Sequence, residues 1–351
     1  MTEEVTPGFL PVSFYPYAYG RPESTAQIRS QPEDFRVEEQ LSFQPEGKGE
    51  HHFLYLQKRN TNTEWLAKQL ARFCGVPPRD VSYAGLKDRN AVTSQWFSIR
   101  IPGTDTPDWR ELESEDLKLL QAVRHRRKLR RGALAQNHFR LRLRQLKADK
   151  IELEGRLKQI AAKGVPNYYG EQRFGHDQNN LTFADKLFAG ELKKLSRHKR
   201  GIYLSAARSY LFNMVLARRV ADGTWDRAIP GDSMLLDGSR SHFSAAEIDQ
   251  EIQQRIAELD IHPTGPLWGK GKQAISLDAA ELESLVLQEH PEWMQGLVKF
   301  GLSYERRALR SRIIDLNWEW QDNHEIEIKF SLHPGSYATS VLREVVLPVA
   351  A

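Results

Sequence analysis

Apolar and polar positions alternate along the first third of the chain in the manner of half-buried strands. Phe35, Val37, Glu39 and Leu41 fall on one side of an extended segment, and Phe53 to Lys58 forms a second run of strand character. A helix is predicted next. Thr61 caps it with Glu64 three residues on, Leu66, Leu70 and Phe73 form its apolar stripe, and Gly75 stops it. Pro77 and Pro78 prevent its continuation, Val81 to Ala84 reads as a short extended segment, and Trp96 to Ile101 as a strand with Phe97, Ile99 and Ile101 on one face. The loop between these last two segments is where chemistry could sit.

Further on, Phe139, Leu141 and Leu143 alternate with Arg140, Arg142 and Arg144, the pattern of a half-buried strand whose open face is wholly cationic. From about Gly164 the periodicity becomes helical. Ser205 to Ala221 carries Leu211, Val215 and Leu216 and stops at Gly223, while Ser244 and Glu247 open a helix bearing Ile248, Ile252, Ile256 and Leu259. Strand alternation returns near the C-terminus, with Ile326, Ile328, Phe330 and Leu332 set between Glu325, Glu327 and Lys329. The pattern reads as an α+β domain interrupted by a mainly helical insertion. No internal repeat or low-complexity tract is present.

The length of 351 residues allows two compact domains or one with a large insertion. Hydrophobic residues at 40% and charged residues at 27% suit a soluble globular protein rather than a disordered one. No apolar run approaches the roughly 18 residues that cross a bilayer, and the Met-Thr-Glu-Glu start lacks the basic and apolar segments of a signal peptide, so a cytoplasmic protein is expected. Cys74, the single cysteine, excludes an intramolecular disulfide and a cysteine-based zinc site, and packing at a helix end is its expected role.

The formal charge is only +4, but the cations are bunched. Arg124, Arg126, Arg127, Lys128, Arg130 and Arg131 crowd into eight positions, and further clusters lie at Lys193, Lys194, Arg197, Lys199 and Arg200 and at Arg306, Arg307, Arg310 and Arg312. Bunching suits phosphate neutralisation, which positions a nucleic acid without reading its sequence; a solvated basic face is the alternative. Tyr168 and Tyr169 with Arg173 compose either a stacking and phosphate-contact group or a packing joint between domains.

The most unusual stretch runs from Tyr83 to Gln95. It puts the Asp88 carboxylate between Lys87 and Arg89, just after Gly85, a glycine that permits a tight turn. An ionised carboxylate there can act as a nucleophile or base. On spacing alone the bland reading, a solvated hairpin with Asp88 idle, stands ahead of the catalytic one. By pattern alone Phe35 and Phe139 likewise read as core.

The stretch resembles the Gly-x-Lys-Asp-(Lys/Arg)-x-Ala-x-Thr-x-Gln signature of the TruD family of tRNA pseudouridine synthases, matched by Gly85, Lys87, Asp88, Arg89, Ala91, Thr93 and Gln95. Pro32 to Phe35 with Val37 to Glu39, Asn137 to Phe139, Gly164 to Gly175, Ser205 to Ser209 and Gly335 to Thr339 resemble other blocks of that family in the same order, so the likeness runs from about Arg29 to Glu344. One departure is Tyr337, where Phe is also expected. The resemblance implies a pseudouridine synthase-type catalytic domain on a mostly antiparallel sheet, from 1–163 and 312–351, with a TRUD insertion domain at 164–311. It implies isomerisation of uridine 13 in tRNA by an Asp88 nucleophile, without metal or organic cofactor.

Chemistry on a base requires its extrusion from the stack. The resemblance implies Phe139 as the ring packed against it, with Phe35 and Tyr337 as further aromatics and Asn137 as an amide partner for base or ribose. Lys87 and Arg29 are the candidates to pair with Asp88 or to contact the target phosphate. The RNA-binding candidates are Arg124, Arg126, Arg127, Lys128, Arg130, Arg131 and Arg173. A monomer that needs no protein partner is expected. The competing reading is a noncatalytic tRNA-binding protein or chaperone that retains the fold.

Other signals fail on inspection. Gly265 to Lys272 resembles a phosphate loop but has three residues between Gly265 and Gly269 and no Ser or Thr after Lys270. No dinucleotide fingerprint or Gly-x-Ser-x-Gly elbow is present, and His51-His52 has no partner at metal-ligand spacing.

Overall fold

The computed structural model describes residues 9–103, 106–192 and 194–349. The N-terminal Met-Thr-Glu-Glu and Lys193 therefore lie outside the described residues. In chain order the first elements are β1 (Thr25–Ile28), β2 (Phe35–Leu41), β3 (His51–Arg59), α1 (Thr63–Phe73), β4 (Val81–Tyr83), β5 (Val92–Arg100), β6 (Leu117–His125), β7 (Leu134–Lys147) and α2 (Lys150–Lys163). There follow β8 (Val165–Pro166), α3 (Asn179–Phe188), α4 (Arg197–Ala221), β9 (Asp232–Leu236), β10 (His242–Ala245), α5 (Gln250–Ala257), β11 (Ile261–Leu267), α6 (Leu277–Leu287), α7 (Pro291–Lys299), β12 (Glu305–Ala308) and β13 (Arg310–Ser311). The chain then runs through β14 (Ile314–Asp322), β15 (Glu325–Leu332), α8 (Ala338–Val345) and β16 (Leu347–Val349).

Two compact units result. A sheet unit comprises 23–157, 313–335 and 346–349, and a helical unit 9–22, 158–312 and 336–345. The boundaries expected from the sequence put 9–22 and 336–345 in the sheet domain; in the structure they pack with the helical unit. There Tyr15 stacks on Tyr168 at 5.2 Å, and Glu344 accepts from the Ala18 N–H at 3.0 Å.

The sheet unit is a ten-stranded sheet with the main order β14-β15-β7-β2-β5-β3-β6; β1, β4 and β16 join off this path. Antiparallel pairs dominate, with β2–β5 and β1–β16 parallel. This is the expected α+β architecture. Because side chains alternate across a strand, the register gathers Phe35, Val37 and Glu39 of β2 with Thr93 and Gln95 of β5, Lys58 of β3, and Asn137 and Phe139 of β7 on one face. Helix α1 covers part of that face, burying Leu66 and Leu70 against Leu54, Leu56, Phe97 and Ile99. Its cap is Asn62, not Thr61: the Asn62 Oδ1 accepts from the Glu64 and Trp65 N–H groups at 2.9 and 3.0 Å. The stop at Gly75 is as expected, with φ 62°. Cys74 is the half-buried C-cap residue of α1.

The helical unit is centred on α4, whose Leu204, Leu211, Val215 and Leu216 pack with Leu181 and Leu187 of α3. This helix begins at Arg197 behind a Ser196 cap, earlier than the expected Ser205, and α5 is capped by Asp249 because Ser244 belongs to β10. The unit also holds a four-stranded sheet, β10-β9-β11-β12. Gly265 lies within β11, where an added Cβ would come 2.9 Å from Leu309, so the glycine serves close packing rather than a phosphate loop. Among the described residues no helix is long and apolar enough to cross a membrane.

A buried ion pair ties α4 to β9. Arg219 donates from both terminal nitrogens to Asp232 at 2.9 Å and also to the Thr224 and Arg227 carbonyls. Removing one partner of such a pair strands a buried charge and costs about 3–5 kcal/mol. Asp232→Ala is therefore expected to lower the unfolding free energy by about that amount in urea titrations. A loss below about 1 kcal/mol would show that the guanidinium is satisfied without Asp232.

Candidate active site

The Asp88 loop leaves β4 and returns to β5, and the interior holds it by polar contacts. Gln95, buried on β5, donates its Nε2 to the Gly85 carbonyl at 2.6 Å. Thr63, at the start of α1, donates to Gln95 Oε1 at 3.0 Å and accepts from the Lys87 N–H at 3.2 Å. At the far side the Ala91 carbonyl accepts from the Asn60 N–H at 3.1 Å. Gly85 itself keeps φ outside the left-handed region, and a Cβ there would make an ordinary 3.8 Å contact with Lys87 Nζ, so the expected tight glycine turn is not what shapes the loop.

The unusual backbone lies at Arg29, whose φ of 60° places a non-glycine residue in the left-handed region, at a cost of about 1–2 kcal/mol. Two contacts offset that cost. The guanidinium lies over the Phe35 ring, 3.8 Å from its centroid, and Nη2 donates to Asp88 Oδ2 at 3.0 Å. Phe35 meets Phe139 edge to face at 6.2 Å, and Phe139 stacks on Phe330 at 5.3 Å. Asn137 lies opposite Glu39 in the β2–β7 register, and its buried Oδ1 has no hydrogen-bond donor among the described residues. Asp88, Arg29, Phe35, Phe139 and Asn137 thus share one region of the sheet unit.

Lys87 faces elsewhere. Its Nζ is 2.5 Å from Glu39 Oε1, with Glu39 fully enclosed and its Oε2 accepting from the Trp96 N–H at 2.9 Å. Adjacent residues of the signature therefore divide: Lys87 turns inward, while Asp88 keeps about a third of its side chain exposed. Arg89 is exposed.

The basic run begins at Arg124, near the end of β6, and continues into the loop beyond it. Arg127, Arg130 and Arg131 are exposed and make no ion pair among the described residues. Arg126 reaches Glu46 at 3.2 Å, Lys128 donates to the Arg79 carbonyl, and Arg124 to Thr106. Leu129 is buried beside Phe53 and Trp96, and the Gly132 N–H donates to the Ala84 carbonyl at 2.9 Å, which joins this basic loop to the residue preceding Gly85. The expected cationic face of β7 is corrected by the register. Glu325 and Glu327 of β15 lie against Arg142, Arg144 and Arg140, and Arg144 also pairs with Asp34 at 2.8 Å, so that face is an ion-pair lattice. Tyr337 and Arg173 lie together in the helical unit, with Arg173 Nη2 donating to Tyr337 Oη at 2.9 Å and Nη1 to Ser205 at 3.0 Å.

Sequence reasoning missed Lys58, read only as a strand end. It is fully buried and opposite Thr93 in the β3–β5 register. Its Nζ donates to the Thr61 carbonyl at 2.7 Å and to the Asp88 carbonyl at 3.4 Å. Burial, reinforced by the nearby Lys87 charge, pushes the ammonium down from 10.5 to about 8, against the pull of Asp88 and Glu39. Burial likewise pushes the Glu39 carboxyl up, opposed by Lys87. Between about pH 8 and 10.5 the folded chain binds fewer protons at Lys58 than the unfolded chain, so this residue makes stability rise with pH there, by on the order of 3 kcal/mol across the window. Urea titrations from pH 7 to 10 should show that rise in the wild type and its loss in Lys58→Met; equal slopes for the two proteins would contradict the burial account.

Comparison with known proteins places this arrangement in a lineage. A family model for tRNA pseudouridine synthase D (TruD) matches residues 12–186 and 178–345. The tRNA pseudouridine synthase D of Methylococcus capsulatus is 50% identical over 331 residues, covering 94% of each chain. That of Hydrogenovibrio crunogenus is 45% identical over 339 residues, covering 97% of this chain and 98% of its own. In fold, the chain is similar to a crystal structure assigned as tRNA pseudouridine synthase D from Methanosarcina mazei, with a TM-score of 0.72, 23% identity, and coverage of 94% of this chain and 95% of that one. On the near full-length family match and these identities, the chain belongs to the tRNA pseudouridine synthase D (TruD) family.

Proposed function

We propose that this protein isomerises a uridine of tRNA to pseudouridine, with the Asp88 carboxylate as its nucleophile. The observation that carries the reading is the separation of charge at the signature loop. Lys87 is committed to Glu39, whereas Asp88 is open to solvent, oriented by Arg29, and linked through Arg29 and Phe35 to the Phe139 ring. A nucleophile needs an accessible ionised oxygen held by an orienting partner.

The reaction breaks the bond from ribose C1′ to ring N1, turns the base, and forms a bond from C1′ to ring carbon five. Carbon five loses its proton and N1 gains one, so the product is an isomer of the substrate. Asp88 serves by attacking C1′, by attacking ring carbon six, or by taking part in the proton transfer that forms a glycal. The extruded uracil requires an apolar surface and edge partners. Phe139 and Phe35 offer the surface, and the unpaired Asn137 Oδ1 offers an acceptor for a base N–H or ribose hydroxyl. Tyr337 and Arg173 are assigned to substrate and RNA contact from the helical unit, and the family resemblance implies uridine 13 as the target. The sheet unit is read as the catalytic domain and the helical unit as the TRUD insertion domain.

Arg127, Arg130 and Arg131 are assigned to phosphate contacts, since none is engaged with a carboxylate among the described residues.

Modification mapping on a set of unmodified tRNA transcripts is expected to find a single new pseudouridine at position 13 after incubation with the wild type. Its absence from every tRNA despite tight binding would favour a noncatalytic RNA-binding protein. Replacing Arg127, Arg130 and Arg131 together by alanine should weaken tRNA binding about tenfold or more and reduce the slope of log affinity against log salt by about 1 for each arginine that neutralises a phosphate. An unchanged slope in filter-binding titrations would remove this loop from the interface.

A further inference from the structure

We infer that Lys58 is a positioning residue for the isomerisation, its buried ammonium fixing the Asp88 peptide and thereby the direction in which the carboxylate is presented. The inference rests on the reading of Asp88 as the nucleophile. Lys58 has no carboxylate within ion-pair distance among the described residues; its donors end on main-chain carbonyls of Thr61 and Asp88. A buried ammonium so placed is costly, and the neighbouring inward positions of β3 are simply Leu54 and Leu56. A leucine or methionine would fill the space at lower cost, so packing alone does not account for the lysine.

What the ammonium supplies is an anchor. No backbone N–H bonds to the Asp88 carbonyl among the described residues, and the loop's outer side is exposed at Leu86, Arg89 and Asn90. Gln95 and Thr63 hold the loop at Gly85 and Lys87, and Asn60 holds Ala91. Arg29 holds the Asp88 carboxylate, and Lys58 is the contact at the Asp88 main-chain carbonyl. It reaches there from the Lys58–Thr61 turn that closes β3, so it ties the rigid sheet to the reacting residue. A misplacement of about 1 Å at a reacting group costs on the order of 100-fold in rate.

The surroundings give this role a pH signature. Lys87 and Asp88 face the ammonium from the loop, and Glu39 faces it from β2; β5 contributes Thr93 and Gln95 and α1 contributes Thr63, none of which titrates in this range. With the ammonium held near 8, raising the pH removes the charge and one donor, and weakens the hold on both carbonyls.

The test is single-turnover tritium release from tRNA labelled at ring carbon five, followed from pH 6 to 9, with tRNA affinity measured alongside. Full-length wild type, Lys58→Met, Lys58→Gln and Asp88→Asn are compared. The expected result is a rate constant at least tenfold lower in Lys58→Met at neutral pH, with affinity within twofold of wild type and partial recovery in Lys58→Gln, which restores an uncharged N–H donor group. The wild-type rate should fall above about pH 8, and the residual rate of Lys58→Met should not. A Lys58→Met rate within twofold of wild type, with Asp88→Asn inactive, overturns the positioning role alone. Turnover by Asp88→Asn overturns the nucleophile reading instead. If Lys58→Met does not fold, Lys58→Gln decides: a rate constant several-fold below wild type at unchanged affinity supports the role, and a rate within twofold of wild type overturns it.

Discussion

The ion pair between Lys87 and Glu39 is the contact on which the presentation of Asp88 depends. Its two charges sit 2.5 Å apart against the sheet face that also carries Lys58, Thr93 and Gln95, where separating them would leave an enclosed carboxylate without its ion-pair partner. That constraint fixes Lys87 inward and makes its successor, Asp88, the signature carboxylate that faces solvent. Arg29 then completes the orientation from outside, accepting a left-handed backbone in exchange for a ring stack and an ion pair. The loop is held from the sheet by Lys58, from α1 by Thr63, and from β5 by Gln95. None of these supports is flexible surface structure, which is what a site requiring fixed geometry needs.

How much of this was legible in the sequence follows the range of each interaction. The strands were visible because their alternation is local. The signature from Gly85 to Gln95 was visible as a pattern, and the family match agrees with it. The pairing of charges was not visible. Lys87 stands next to Asp88 in sequence yet pairs with Glu39, because the choice depends on where β2 lies beside β5. The arginines of β7 looked like an open cationic face for the same reason: only the β15 register sets Glu325 and Glu327 against them. Glu325 and Glu327, set around Ile326, were the one available hint, since their spacing of two matches that of the arginines.

Lys58 was hidden more completely. A lysine at the end of a strand is ordinarily a solvated side chain, but this one lies buried opposite Thr93, and beyond the left-handed Asn60, φ 47°, the Thr61 carbonyl accepts from its ammonium. Conversely, Gly85 was over-read: a glycine before a charged triplet suggested a tight turn, but ordinary φ and side-chain hydrogen bonds form the loop. Of the six cations from Arg124 to Arg131, the sequence did not distinguish those engaged with Glu46, Thr106 or the Arg79 carbonyl from exposed Arg127, Arg130 and Arg131.

In the proposed mechanism the outward-facing carboxylate of Asp88 performs the chemistry while its neighbours only hold it. Asp88→Asn tests this most directly, since the amide is nearly isosteric and leaves the Lys87–Glu39 pair untouched. The measurement is tritium release from tRNA labelled at ring carbon five of uridine, with tRNA binding determined in parallel. Binding within about twofold of wild type and no detectable release are predicted for the variant; release at a rate near that of the wild type would contradict the nucleophile role.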